Sequence, residues 1–345
     1  MLTTFLHGFK SAACVALAVV AMLATPSTAG AAEVRFKISV DTGANHITNI
    51  TVKDFLERLR KATNGEVIGE LFESGSLYAA RDEARAVARG DLDMSVTVSV
   101  WLSALSPDLG LLDLPLFAGR SPAHVNGLVD GPVGKLLRAR TEEKLGVVIP
   151  GRWFLLGFAS TFGGKREIKS FDDFKGARIR VPGGAAFVAR YKALGGEGLS
   201  IPFPDVPMAL SQGTIDGLMT TNETIRSAKL HETGVKSAFV DQASVLYILP
   251  MVSKSFWSKL GEKNQKSFAA AWDAVVDGER AEALRRQDSA AADLAGAGVK
   301  YYQPGAQELK VVGDKLNALI PELVTALKID PAIVAQAQAE LVKMK

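Results

Sequence analysis

Hydrophobic and polar residues alternate over residues 34–38, the period of a strand with one covered face. Val52, Phe55, Leu56 and Leu59 then recur at helical spacing. Residues 67–72 read as a second strand, and Ala84, Val87 and Ala88 mark one face of a short helix. Met94, Val96, Val98 and Val100 predict a third strand. This strand–helix order predicts a mostly parallel sheet with helices on its faces. A long helical pattern follows from Pro122 to about Lys144, and residues 147–149 and 153–158 are further strand candidates.

The pattern changes near residue 160. Residues 161–166 are turn-like and polar, and Ser170 with Asp173 forms a capping-box pair ahead of a short helix. A strand over residues 178–181 is stopped by Pro182-Gly183-Gly184, and a helix over 185–194 is closed by Gly195-Gly196. Pro207 fits the first turn of the next helix, with Asp205 or Val206 just outside it. These elements predict a second α/β lobe. Residues 245–249 form a strong strand that returns to the first lobe, so the chain crosses more than once and makes a hinge. Residues 264 to about 294 form a long alanine-rich helical run. Residues 309–345 are mainly helical, with a break around Asp330-Pro331.

The first 32 residues carry a different signal. Lys10 precedes an apolar run over residues 11–24, and small residues occupy 29–32. That is the plan of an export signal, removed from the mature chain. The only cysteine, Cys14, lies within it. The mature chain then has no disulfide, thiol nucleophile or thiolate metal site, which is compatible with an oxidising compartment. The 40 basic residues nearly balance the 37 acidic ones and are scattered, so nucleic-acid binding has no support. A hydrolase reading fares no better. The chain lacks a Gly-x-Ser-x-Gly elbow, a His-Glu-x-x-His helix and a phosphate loop, and Asp172-Asp173 reads as a helix start.

The most informative stretch runs Lys175-Gly176-Ala177-Arg178-Ile179-Arg180-Val181-Pro182-Gly183, then Lys192-Ala193-Leu194-Gly195, then Ile201-Pro202-Phe203-Pro204 through Gly213-Thr214-Ile215-Asp216-Gly217. Gly75-Ser76-Leu77, Asp113-Leu114-Pro115-Leu116-Phe117 and Ser255-Phe256-Trp257 extend the same pattern. Together they resemble the DctP-like solute-binding proteins of tripartite ATP-independent periplasmic (TRAP) transporters. The resemblance implies an α/β, two-lobe periplasmic binding protein fold with a hinge, a ligand cleft between the lobes and a long helix in the C-terminal half. The expected division is a signal peptide over 1–32, lobe I over 33–155 plus about 243–285, and lobe II over 156–242 plus about 286–345 with the C-terminal helices. It further implies a periplasmic protein, not an enzyme, without cofactor or metal, whose partners are a small organic anion and integral-membrane permease subunits. A neutral or polyol-like ligand, or service to a sensor, is the alternative.

The resemblance assigns Arg180 to the ligand carboxylate. Its planar fork of donors suits that group, and its place at a strand end beside a tight turn suits a ligand site. Arg178 reads as a solvated or structural residue. Two departures stand out: Ala159 where the family commonly has a second arginine, and Thr220 where it often has an asparagine. Thr220, Thr221, Asn222 and Glu223 form a substitute polar set, with Asn222 equally suited to cap a helix. Phe203 matches a pocket phenylalanine of the family. Trp101, Glu73 with Ser74, and His46 are the first-lobe candidates, with Trp153 and Tyr247 behind them.

Overall fold

The computed structural model describes residues 33–344; the expected export segment lies outside the described residues. The chain opens with β1 (Val34–Ser39), α1 (Ile47–Ala62), β2 (Val67–Phe72), α2 (Ala80–Arg89) and β3 (Met94–Val98). Phe36 and Ile38 face the core from β1, as the alternation requires, and Val52, Phe55 and Leu59 seal α1 onto them. The third strand stops earlier than expected. Val100 lies in a helical turn, α3 (Ser99–Leu102), and a 3-10 turn over Pro107–Asp113 follows.

The helical pattern from Pro122 is two helices, α4 (Pro122–Asp130) and α5 (Pro132–Leu145). Proline at 132 cannot donate the hydrogen bond that a continuous helix needs. Gly131 is extended there, and Gly134 packs so close that a β-carbon would lie 1.7 Å from the Val129 carbonyl oxygen.

β4 (Val147–Val148) and β5 (Phe154–Gly163) come next. Thr161, Phe162 and Gly163, expected in a polar turn, are instead buried strand residues of β5. The turn starts at Gly164 because Phe162 packs into an apolar cluster with Leu210, Leu218 and Ile225. After the 3-10 turn Phe171–Phe174, capped by Ser170 and Asp173 as expected, the chain forms β6 (Arg178–Val181), α6 (Ala185–Ala193) and β7 (Glu197–Ser200). A 3-10 turn over Phe203–Asp205 leads to α7 (Val206–Gln212), β8 (Gly217–Thr220) and α8 (Asn222–Ser227). The chain ends with β9 (Ser237–Ser253), α9 (Lys254–Gly296), β10 (Lys300–Tyr302), α10 (Ala306–Asn317), α11 (Ile320–Ala326) and α12 (Pro331–Lys343).

Strand order is β2-β1-β3-β9-β5-β8-β6-β7, with β4 and β10 also on β9. At one end β1 lies between β2 and β3, all parallel. At the other β6 lies parallel between β7 and β8. These are two α/β lobes joined by the antiparallel pair β5 and β9. The second half of β9 pairs with β3 and its first half with β10. Between the halves, β5 and β9 change register at Ala159/Thr161, and Gln242 on β9 takes φ +47°. Such bulges bend a strand pair locally, here at the place where the lobes meet.

The long helix α9 begins before Asn264, at Lys254, and is kinked at Gly261 with φ 68° and ψ 162°. Its first half is held by aromatic pairs. Phe36 stacks on Phe256 at 4.7 Å, Phe55 meets Phe268 at 5.0 Å and Phe154 stacks on Trp272 at 4.4 Å. Each such pair contributes about 0.5–1.5 kcal/mol beyond burial alone. The second half grips α8: Gln287 accepts from the Glu223 amide at 3.1 Å, and Arg226 pairs with Asp293 at 2.8 Å. One helix thus braces both lobes.

Candidate functional site

Arg180 sits on β6, the central strand of the second parallel set, with only 2% of its surface exposed. Ile179 points to the core on the other face. Nε of Arg180 donates to the Ile201 carbonyl at 2.8 Å, which fixes the guanidinium plane. Among the described residues its two terminal nitrogens have no hydrogen-bond partner, and no carboxylate lies within ion-pair distance. Burial pushes Arg180 down to about 10, and Asp41, the one charge that opposes this, compensates only in part. Phe203 lies over the guanidinium, 5.8 Å from ring centre to Cζ, a cation–π contact that orients the fork.

Arg178, on the same strand, is spoken for. It forms a bidentate pair with Asp216, at 2.8 and 3.1 Å, and donates to the Gly213 carbonyl at 2.7 Å. Asp216 thereby ties β6 to the turn that enters β8.

The backbone beyond Arg180 turns sharply. Gly183 has φ +141° and Gly184 φ +75°, where a side chain would be strained. A β-carbon on Gly183 would also lie 3.3 Å from the Trp101 ring. Trp101, from the first lobe, therefore lies against the Arg-Val-Pro-Gly turn, with its indole nitrogen buried and unpartnered among the described residues. Thr220 ends β8, buried and opposite Ser160 of β5. Ala159 is buried among core residues and brings no second charge.

A cavity of about 200 Å³ opens between the lobes beside this cluster. Asp41, Thr42, His46 and Ser74 line it from the first lobe; Phe203 and Pro204 line it from the second. His46 forms part of this wall, yet both ring nitrogens have protein partners. Nδ1 accepts from the Thr48 amide at 3.2 Å, capping α1, and Nε2 faces Glu223 at 3.0 Å and Thr224 at 3.2 Å.

Three expected ligand contacts are held by the protein itself. Glu223 has no exposed surface; besides His46 it accepts from the Ile47 amide at 3.3 Å and from Arg286 at 3.4 Å. Burial pulls its pKa up, but His46 and Arg286 outweigh that and hold the carboxyl below its ordinary value. It is a latch between α8, the start of α1 and α9. Asn222 accepts from the Tyr301 hydroxyl at 2.9 Å, and the cap of α8 is Thr221, whose hydroxyl accepts from the Thr224 amide. Glu73 pairs with Lys53 at 2.7 Å and accepts from Asn49 at 3.3 Å, which places it on the rim. Trp153 and Tyr247 pack on each other at 6.4 Å in the first-lobe core.

Two carboxyl groups near the cleft escaped the sequence reading. Asp41 follows β1 directly and lines the cavity. Glu83 projects from α2, fully buried, and accepts from the Thr97 hydroxyl. Burial, with the nearby Asp41 charge, raises Glu83 well above the usual carboxylate range. The signal was there: Lys37, Ser39 and Asp41 continue the polar half of the alternation that puts Phe36, Ile38 and Val40 in the core.

Two α/β lobes joined at a bulged strand pair, with a cavity between them and, behind its Phe203 wall, a buried arginine that no described carboxylate pairs, define a binding protein for a small anionic solute. The chain belongs to the bacterial extracellular solute-binding proteins of family 7, the DctP family, whose profile matches residues 38–326. Its members are the periplasmic, non-catalytic solute receptors of TRAP transporters, which work with membrane permease subunits. The chain is 30% identical over 213 residues to the 2,3-diketo-L-gulonate-binding periplasmic protein of Escherichia coli, covering 62% of this chain and 64% of that one. It superposes at TM-score 0.86 and 19% identity on a sugar acid binding protein from Advenella mimigardefordensis in complex with galactonate, covering 91% and 99% of the two chains. A TRAP periplasmic solute binding protein from Sulfurospirillum deleyianum with bound succinate matches at TM-score 0.82 and 24% identity, covering 89% and 99%.

Proposed function

We propose that this protein captures one small organic acid in the cleft and hands it to TRAP permease subunits in the membrane. The observation that carries this reading is Arg180: a buried guanidinium with a fixed plane and no protein carboxylate on its terminal nitrogens. Burying a charge without a partner is costly, and a ligand carboxylate would supply the partner bidentately. Phe203 would pack on the carbon skeleton, and Thr220 and the Trp101 indole would add hydrogen bonds. His46 would form the cavity wall. Closure of the lobes would exclude water and strengthen the ionic contact, so the ligand draws an existing open–closed balance toward the closed form.

The pairing of β9 supports lobe I over 33–155 plus about 243–285 and lobe II over 156–242: its second half pairs with β3 and its first half with β10. The assignment of 286–345 to lobe II is not supported. Leu323, Val334 and Leu341 pack with Leu128 and Leu137 of the first lobe, Arg140 pairs with Asp330 at 2.8 Å, and Arg120 donates to the Leu341 carbonyl at 2.9 Å. Residues 1–32 would be removed on export. The relatives bind 2,3-diketo-L-gulonate, galactonate and succinate, which share a carboxylate. A thermal-shift screen of sugar acids, hydroxy acids and dicarboxylates against their amide or alcohol analogues tests the reading. A ligand at a hundred times its Kd adds about 2.7 kcal/mol to folding stability. Acids are expected to stabilise where their neutral analogues do not; equal stabilisation by both would overturn the carboxylate clamp.

A further inference from the structure

We infer that the ligand carries, away from its carboxylate, a hydroxyl or ammonium hydrogen-bond donor that Asp41 receives. The inference rests on the carboxylate clamp proposed above. Asp41 lines the interlobe cavity across from Phe203, and Phe203 covers the Arg180 guanidinium at 5.8 Å. The cavity therefore has a cation behind one wall and a carboxyl in the other. The two groups are close enough to influence each other's protonation, yet form no ion pair within 4.0 Å among the described residues. A ligand can lie between them.

Two of the other polar groups of the first-lobe wall, Thr42 and His46, already have protein partners. The Thr42 hydroxyl donates to Asn49 at 2.5 Å, and the Asn49 amide returns a bond to the Thr42 carbonyl at 3.0 Å. His46 has both nitrogens engaged. The Asp41 carboxyl, by contrast, has no donor from another residue among the described residues. An ionised carboxylate is an acceptor only, and one left unpaired in a closed cleft is costly. Behind it stands Glu83, a second carboxyl and not a cation. A second ligand carboxylate at this end would meet the Asp41 carboxylate, and Glu83 brings no cation to offset that repulsion. A hydroxyl or ammonium would find its acceptor.

The test is isothermal titration of the periplasmically produced protein with two matched sets. The four-carbon set is butanoate, 4-hydroxybutanoate, 2,3,4-trihydroxybutanoate, 4-aminobutanoate and succinate. The six-carbon set is hexanoate, galactonate, 6-aminohexanoate and adipate. In at least one set a donor-bearing acid is expected to bind at least tenfold more tightly than both the plain acid and the dicarboxylate. Asp41→Ala should erase that advantage. Asp41→Asn should keep it for a hydroxyl, which the amide oxygen can still accept, and lose it for an ammonium, which needs the negative charge; this separates the two donors. The inference is overturned if succinate or adipate binds as tightly as the donor-bearing acids, if Asp41→Ala leaves the advantage intact, or if no donor-bearing acid binds. Failure of the clamp reads differently: affinity would survive Arg180→Met, whatever the outcome at Asp41.

Discussion

Arg180 and Arg190 are two buried arginines of the same lobe, one on β6 and one on α6, and their surroundings are opposite. Arg190, 7% exposed, forms a buried salt bridge with Asp241 of β9. Burial lowers its pKa, but the Asp241 and Tyr191 contacts outweigh that and raise it. Arg180, 2% exposed, has only a backbone carbonyl, and its pKa falls to about 10. The chain neutralises one buried cation and leaves the other for something else to neutralise. The first holds α6 to the β9 bulge; the second lies behind Phe203, which lines the cleft. Burial is common to both arginines, and the absence of a protein anion is what sets Arg180 apart and supports the proposed clamp.

Replacement should separate the two most strongly. Arg190→Leu strands Asp241 in the interior, and urea unfolding should show a loss of about 3–5 kcal/mol. Adding Asp241→Leu should return most of it. If the single variant is as stable as the parent, the structural role is wrong. Arg180→Met should do the reverse. The free protein should melt at the same temperature or higher, because an uncompensated charge is gone, while affinity for the acid falls by about 2–5 kcal/mol.

A comparable effect comes from a buried acid without a cation. Burial raises Asp113 to about 7, and a hydrogen bond from Ser103 opposes this only weakly. The folded state then holds this proton more tightly than the unfolded chain. The stability it contributes is full below about pH 4 and is lost as pH rises toward 7, by on the order of 4 kcal/mol. Glu279, raised by burial to about 8, acts in the same direction. The melting temperature should fall between pH 5 and pH 8, and Asp113→Asn should flatten part of that slope. An unchanged slope would place Asp113 in a wetter environment. The smallest change is Phe203→Leu. Losing the ring over Arg180 should weaken acid binding by about 0.5–2 kcal/mol without altering which acids bind.

Much of this was legible in the sequence because it rests on local pattern. Phe36 and Ile38 set the inner face of β1, and Pro182-Gly183-Gly184 ended β6. The errors arose where a long-range contact overrode the local pattern. Thr161 and Phe162 looked like a turn, but Phe162 fills an apolar cluster and the Thr161 hydroxyl bonds Tyr191 at 2.8 Å. Glu223 looked like a ligand contact because its partners, His46 and Arg286, are remote in the chain. Gly131-Pro132 was a readable break that helical periodicity on both sides obscured. Asp41 and Glu83 were missed because a polar residue at a strand end or on a helix reads as solvated until the opposite wall is known.

The most direct measurement is calorimetric titration of the acid that stabilises the protein most in the thermal-shift screen, and of its uncharged amide or alcohol counterpart, into the parent protein and into Arg180→Met. The acid is expected to lose about a hundredfold or more in affinity in the variant, within the range for truncating one side of a buried charge pair. The neutral counterpart should bind neither. If the counterpart binds the parent as well as the acid does, or if Arg180→Met keeps the affinity for the acid, the buried arginine is not the carboxylate receptor.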